Sequence, residues 1–380
     1  MTELSAQPLP VLLPKKSLLG LATYETASYP SKVKTILTKP LYLASNENSF
    51  GASPKALAAI RDSLDSFDLA RYPSSAGLNL IQSLAEFYSI PPSSIILGNG
   101  SLEVMQMVIR AFADPGDEVV ISEYAYAPIA LFCQSEGLRV NTIQSLNYGH
   151  DLQRLANAVS QETRIIILVN PNNPTGTWFS ELELAKLLER VSSNTLVVLD
   201  EAYFEYSRKY FQIESLKLMK RFPNLFLLRT FSKAHGLASF RVGYGIAHPI
   251  LMEEVYKIKL PFSVNKLALI AAEAALNDHE HVQKAVDLTY ENMQSLRAKL
   301  DKLGISYIPS AGNFLCVQLN ELARDGFEYL SKQGIHVRKL ANYQLSDFLR
   351  ITVGDHDEIQ ILMDHLIRFK ASTGEYYGRI

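Results

Sequence analysis

Cysteine is almost missing from this sequence: Cys133 and Cys316 are the only two in 380 residues, which excludes a disulfide framework and a four-thiolate metal site. No metal is expected, and the usage fits a reducing, cytoplasmic compartment. An excess of either charge is missing too, since 37 Lys plus Arg stand against 39 Asp plus Glu. A net charge of −2 gives no overall attraction to nucleic acid or to an anionic membrane, so small-molecule partners are expected. No run reaches the roughly 18 apolar residues that cross a bilayer. The N-terminus sets polar and acidic residues before only a brief apolar run, Val11 to Leu13, so no secretory leader is expected either. Internal repeats and low-complexity tracts are lacking.

What the chain does have is core-forming sequence. At 47% hydrophobic residues it can build one large core and a second, smaller one. Seven β-branched or aliphatic runs recur between residues 94 and 247: Ser94 to Gly98, Glu118 to Tyr124, Arg139 to Gln144, Arg164 to Asn170, Thr195 to Tyr203, Asn224 to Phe231 and Arg241 to Ala247. Runs such as IIILV and LVVLD are apolar at every position, as expected when helices cover both faces of a sheet. A mostly parallel, helix-flanked sheet follows. Past Pro261 the pattern becomes one long helical stretch from about Asn265 to Leu303, then ISYIPS, NFLCVQL, a helix, IHVRKL, FLRITVG and a last helix over about His356 to Ser372. This reads as a smaller α+β domain. The expected division is an arm over 1–45, extended where Pro8, Pro10, Pro14, Pro30 and Pro40 punctuate it, a large domain over 46–275 and a small domain over 276–380.

Ligands of open α/β sheets bind just past the carboxyl ends of the strands, so the residues there carry the functional signal. The run ending at Leu199 delivers Asp200, Glu201, Ala202 and Tyr203 to that edge. Asp200 there either holds a cationic ring nitrogen or serves as a turn or cap residue. The next run ends in Arg229, Thr230, Phe231, Ser232 and Lys233. Taken alone, Lys233 reads as a surface lysine. Arg241 follows eight residues later in the glycine-rich AHGLASFRVGYG, and hydroxyls, a lysine and an arginine around one loop suit a phosphate. Gly98-Asn99-Gly100-Ser101 opens a helix at Leu102, where free N–H groups bind anions, although GNGSLE lacks the third glycine of a dinucleotide fingerprint. Asn170 to Gly176, NPNNPTG, forms a stiff turn that points an asparagine amide into the crevice.

In this order, NPNNPTG, LDEAY, TFSK and the arginine eight residues past that lysine resemble the fold-type I pyridoxal-phosphate (PLP) dependent aminotransferases. ATYE, LASNENSFG, RYPSSAGLNLIQSLA, SEYAYA, PFSVN and FLRITVG are most similar to the histidinol-phosphate aminotransferases within that family. The resemblance implies an α/β large domain around a mostly parallel seven-stranded sheet, plus a smaller α+β domain. It makes Lys233 the Schiff-base lysine, Asp200 the partner of the pyridine nitrogen, and Tyr203 and Asn173 donors to the ring's phenolic oxygen. Gly100, Ser101, Ser232 and Arg241 match phosphate-binding positions. Leu102 falls among the cofactor-binding positions too, where the family's side-chain contact is either missing or replaced by backbone N–H groups. Tyr126 matches the aromatic that stacks on the ring, with Tyr124 as a second candidate. Tyr72 matches the tyrosine that reaches the cofactor phosphate of a neighbouring subunit, which implies a homodimer with shared sites. For the substrates, Arg350 matches the carboxylate-binding arginine, and Tyr24, Asn48 and Arg338 match positions that hold histidinol phosphate.

The implied function is ping-pong transamination of L-histidinol phosphate with 2-oxoglutarate in histidine biosynthesis. An aromatic amino-acid aminotransferase, a PLP-dependent phosphothreonine decarboxylase and a non-catalytic PLP-binding regulator domain stay open as alternatives. The regulator needs a DNA-binding module, and no basic helix-turn-helix precedes the matching region. The chain departs from the family pattern at Leu102, where an acidic or amide residue is usual, and at Ser49, His235 and Ser239.

Overall fold

A computed structural model describes residues 14–24, 37, 39–66 and 70–373. The seven apolar runs become the strands β1 (Ile95–Gly98), β2 (Glu118–Ser122), β3 (Arg139–Ile143), β4 (Thr163–Val169), β5 (Leu196–Asp200), β6 (Leu225–Thr230) and β7 (Gly243–Ile246). They form one sheet in the order β1-β7-β6-β5-β4-β2-β3. Only β7 runs against its neighbours. Every residue of β1, β5, β6 and β7 is buried, which accounts for their unbroken apolar character.

Successive residues of each strand feed opposite layers. Ile166, Leu168, Val197, Leu199, Leu225 and Leu227 pack into one core with the helices Leu78–Tyr88, Glu181–Arg190 and Lys266–Leu276. Ile165, Ile167, Val198, Phe226 and Leu228 face a second core under Ser101–Phe112, Ala127–Ser135 and Pro249–Tyr256. The result is three layers, with helices over both faces of the sheet and the edge strand β3 partly exposed.

The smaller domain is a four-stranded antiparallel sheet of β8 (Tyr307–Ile308), β9 (Phe314–Gln318), β10 (Arg338–Lys339) and β11 (Phe348–Thr352) in the order β10-β11-β9-β8. The helices Ala323–Gln333 and His356–Ser372 close its core with Leu315, Val317, Leu349 and Ile351. Leu41–Tyr42 pairs with Ile335–His336, tying the start of the chain to this domain.

The helical stretch after Pro261 is two helices, Lys266–Leu276 and His279–Lys302, rather than one. The break at Asn277 and Asp278 has a local cause. Asp278 is 5% exposed and accepts a hydrogen bond from Ser53 Oγ at 2.6 Å, while Lys55 Nζ takes the Asn277 carbonyl at 3.0 Å. The start of the helix Pro54–Ser66 thus holds the Asp278 side chain and takes the Asn277 carbonyl, which a continuous helix would need. Of the arm, residues 14–24 dock on the large domain through a 3₁₀ turn at Lys16–Leu18, with Ser17 Oγ bonding Ser135 O at 2.8 Å. Pro8, Pro10 and Pro30 lie outside the described residues. Among the described residues no helix is long and apolar enough to cross a membrane.

Candidate active site

Strand register collects the site. β4, β5 and β6 run parallel with Val169 beside Asp200 and Asp200 beside Leu228, so Asn170, Asp200 and Thr230 reach one edge together. The reversed β7 then starts where β6 ends: Gly243 pairs with Thr230 on one side and Gly98 on the other. This brings Ser232, Lys233 and Arg241 against the Gly100-Ser101 helix start. Packing there is so close that a Cβ at Gly243 would collide with Ser101 N, and one at Gly100, whose φ is +86°, would collide with Arg241 Nη2. Arg241 itself holds φ +55°, a conformation that costs a non-glycine residue about 1 kcal/mol. It donates to Ser232 Oγ at 3.3 Å and to Ala238 O at 3.0 Å.

A cavity of about 160 Å³ lies over these strand ends, lined by Ser101, Leu102, Tyr126, Asn173, Asp200, Tyr203, Ser232, Lys233 and Arg241 among others. One end is built for an anion. The helix Ser101–Phe112 has no side-chain cap, which leaves its first N–H groups open beside Arg241 and Ser232. Where the family places an acidic or amide side chain, Leu102 is apolar. The neighbouring Glu103 instead accepts from Asn99 N at 2.5 Å and Ser263 Oγ at 3.0 Å.

The other end holds coupled titratable groups. The Asp200 carboxylate accepts from Ala202 N at 3.0 Å, and burial pushes its carboxyl up to about 7. Lys233 Nζ donates to Ser45 O at 2.9 Å. Burial, then the Arg350 guanidinium, pull this amine down to about 7. Tyr203 is buried and pushed up to about 12 by that burial.

A second cavity of about 210 Å³ opens from the first and shares Tyr126, Asn173, Tyr203 and Lys233 with it. Its remaining walls are Tyr24, Ala44, Ser45, Asn46, Arg338 and Arg350. Arg350 sits in the middle of β11, 7% exposed, directly across from Cys316 and Arg338 on its two neighbouring strands. It donates through Nη1 to Asn173 Oδ1 and through Nη2 to Ala44 O at 2.7 Å. Because Asn173 Oδ1 is taken, the Nδ2 group of that amide is left as the donor for the cavity. Arg338 lies 5.5 Å from the centre of the Tyr24 ring, which meets Tyr126 edge-on at 6.1 Å.

Most residues singled out in the sequence meet in these two cavities. Gly100 stands behind Arg241 rather than in the wall. Asn48 stays out of both: its Nδ2 holds Ala234 O at 2.9 Å, pinning the lysine loop from behind. Tyr124 contributes its carbonyl, which accepts from Asn172 Nδ2 at 2.9 Å, while its ring faces Tyr148. Tyr72 is 80% exposed and stacks on Phe262 at 4.6 Å, away from both cavities of its own chain. Sequence reasoning assigned no role to Asn46 or Glu201, and counted Thr230 only among the loop hydroxyls that suit a phosphate. Asn46 lines the second cavity and donates to Tyr203 Oη at 2.9 Å, and Thr230 lines the first. Glu201 accepts from Arg229 Nε and Nη2 at 3.0 and 2.9 Å in a pair almost sealed from solvent beneath the lysine loop.

Residues 38–366 match the family described as aminotransferase class I and II. Histidinol-phosphate aminotransferase 2 of Pseudomonas fluorescens (strain Pf0-1) is 44% identical over 312 residues, covering 82% of this chain and 84% of that protein. Histidinol-phosphate aminotransferase 2 of Hydrogenovibrio crunogenus is 42% identical over 332 residues, with 87% and 88% covered. Among solved structures, histidinol-phosphate aminotransferase from Sinorhizobium meliloti in complex with pyridoxal-5'-phosphate superposes with a TM-score of 0.81 at 28% identity, over 88% of this chain and 91% of that one. The match runs from ahead of Leu41 into the last helix and takes in nearly all of both cavities, so this chain belongs to the class I and II aminotransferases.

Proposed function

We propose that this enzyme transfers the amino group of L-histidinol phosphate to 2-oxoglutarate, with PLP as cofactor. One observation carries the reading: two joined cavities share Lys233, Tyr203, Asn173 and Tyr126, one ending in an anion cradle and the other in two guanidinium groups. The first fits the cofactor and the second fits an anionic amine or oxo acid.

The donor set supports PLP in the first cavity. Arg241, Ser232 and the N–H groups of Ser101 and Leu102 suit its phosphate, and Gly100 keeps that space open. Tyr203 Oη and Asn173 Nδ2 suit its phenolic oxygen, Asp200 its ring nitrogen, and the Tyr126 ring its face. Bound there, PLP supplies an aldehyde carbon for amine exchange and a ring that accepts the electron pair left when the Cα proton departs.

The protein supplies charge and proton transfer. Burial makes Asp200 costly to ionise alone, so a protonated ring nitrogen beside it would restore its charge and hold its own proton in turn. Lys233, drawn down to about 7, is poised to take the donor's Cα proton and give it up again. Arg350 and Arg338 present planar forks that suit a phosphate on one substrate and a carboxylate on the other. The Tyr24 and Tyr126 rings give the second cavity an aromatic wall, which suits a flat side chain, either an imidazole or a phenyl group.

The division into an arm (1–45), a large domain (46–275) and a small domain (276–380) is supported by the helix break at Asn277. A homodimer is supported by Tyr72, Leu78, Leu260 and Phe262, which are large, apolar and exposed. In that dimer Tyr72 would reach the partner's phosphate site. A cytoplasmic location accords with two free, buried cysteines.

The test is turnover of the purified holoenzyme with 2-oxoglutarate and, in separate reactions, L-histidinol phosphate, phenylalanine, tyrosine and phosphothreonine, reading glutamate and carbon dioxide. Glutamate formed fastest with histidinol phosphate is expected. Higher kcat/KM with an aromatic amino acid, or carbon dioxide from phosphothreonine, would replace the substrate assignment.

A further inference from the structure

Asn46 is 1% exposed and held at φ +54°, a left-handed conformation that asparagine tolerates better than most residues. Its amide lies in a closed set of hydrogen bonds. Thr352 Oγ1 accepts from Asn46 N at 2.9 Å and lies 3.3 Å from Asn46 Oδ1. A hydroxyl has one hydrogen and an amide oxygen has none, so Thr352 donates across that second contact. The amide is thereby fixed with Oδ1 toward Thr352 and Nδ2 toward Tyr203, which it meets at 2.9 Å. Asn313 Nδ2 holds the Asn46 carbonyl at 3.1 Å and keeps the backbone in place.

An amide nitrogen can only donate, so the Tyr203 oxygen is the acceptor of that bond. The hydroxyl proton of Tyr203 must point away from Asn46. The ring packs among Phe314, Tyr206 and Ala234, and the residue lines the cavities shared with Lys233 and Asn173, where a polar partner can take that proton. We propose that Asn46 and Thr352 are positioning residues that fix the direction of the Tyr203 hydroxyl proton, aiming it at the cofactor oxygen. This rests on the PLP reading above. Thr352 lies two residues from Arg350 on β11, so the strand that binds the substrate anion also sets this proton. Movement of β11 is therefore felt by the cofactor through a hydrogen bond as well as through charge.

The test uses the holoenzyme and reads the visible-absorbance pH titration of the lysine-linked cofactor. A hydrogen bond donated to the phenolic oxygen stabilises its negative charge and lowers the proton affinity of the linkage beside it. Tyr203→Phe removes that donor and is expected to raise the titration midpoint by about one unit, the worth of one hydrogen bond to a charged group. Asn46→Asp keeps the shape but presents an acceptor to Tyr203, turning its proton away, and a rise of similar size is expected. Thr352→Val frees the amide to flip and adds no charge, so a smaller rise is expected. It also serves as the readout should Asn46→Asp not accumulate folded.

The decisive comparison is the double variant Tyr203→Phe/Asn46→Asp. If Asn46 acts through Tyr203, the second substitution adds little to the first. A full additional rise would mean that the carboxylate acts only as a nearby charge, and the proposal would fall. A shift with Tyr203→Phe but none with Asn46→Asp or Thr352→Val would also defeat it while leaving the cofactor reading intact. No shift with Tyr203→Phe would remove Tyr203 from the cofactor oxygen and the proposal with it, whereas absence of any lysine-linked absorbance in the parent protein would defeat the cofactor reading itself.

Discussion

Arg350 donates to the side-chain oxygen of Asn173, joining the central strand of the small domain to the turn beyond β4 in the large domain. The same guanidinium lies 5.4 Å from the centre of the Phe314 ring, and its Nε has no hydrogen-bond partner among the described residues. A buried cation with N–H donors still unused is ready for an incoming carboxylate. Arg350→Ala should raise KM for 2-oxoglutarate about 10- to 100-fold, as expected for losing charge-assisted hydrogen bonds. Steady-state kinetics with 2-oxoglutarate varied would show this, and an unchanged KM would remove Arg350 from the anion site.

Lys233 reacts as the neutral amine, so its depressed pKa has a kinetic signature. In apoenzyme, the rate of covalent capture of added PLP should climb as pH rises through about 7 and flatten above about 8. Stopped-flow absorbance would follow it. A rate still climbing toward the ordinary lysine value of 10.5 would contradict the burial of this amine. Lys233→Ala should bind PLP without a borohydride-trappable link and lose turnover by at least about 10²-fold.

The Arg229–Glu201 pair predicts a stability effect without a chemical one. Arg229→Met leaves the Glu201 carboxylate buried and uncompensated, and should lower unfolding free energy by about 3–5 kcal/mol in urea titration. Arg229→Met/Glu201→Leu should recover most of that loss. If the single variant loses less than about 1 kcal/mol, the pair is not the tie beneath the lysine loop that its burial suggests.

Sharing of sites between subunits can be read by mixing inactive proteins. Tyr72→Ala and Lys233→Ala protomers, each weak or dead alone, should regain activity when unfolded and refolded together, because one site of the hybrid has an intact lysine and an intact partner tyrosine. Absence of recovery, with hybrid formation verified by differential tagging, would place Tyr72 outside the neighbouring site.

Much of this was readable from the residues because burial leaves a plain mark. LVVLD could be read as a buried strand with a terminal carboxylate since all five of its positions are buried. Lys233 could not be identified by itself. Its meaning depends on β7 running backward beside β6, which places Arg241 next to Ser232. The substitution of Asn46 for Asn48 in the cavity was hidden for a similar reason. Two asparagines two residues apart look equivalent in an extended strand, but the positive φ at Asn46 breaks that alternation, and its causes are Thr352 and Asn313 far along the chain. Arg229 and Glu201 were assigned no role because their partnership spans adjacent strands, which the order of residues along the chain does not show.

The turn Asn170 to Gly176 is fastened to the small domain at three places: Asn173 to Arg350, Pro174 O to Cys316 Sγ at 2.8 Å, and Gly176 O to Ala311 N at 2.9 Å. In mechanical terms this is a fulcrum. Any swing of the small domain about these fastenings displaces its atoms in proportion to their distance from the turn, so the outer helices sweep widely while groups beside the lysine shift little. Large changes in the molecule's outline could then accompany fine adjustment of the reacting centre.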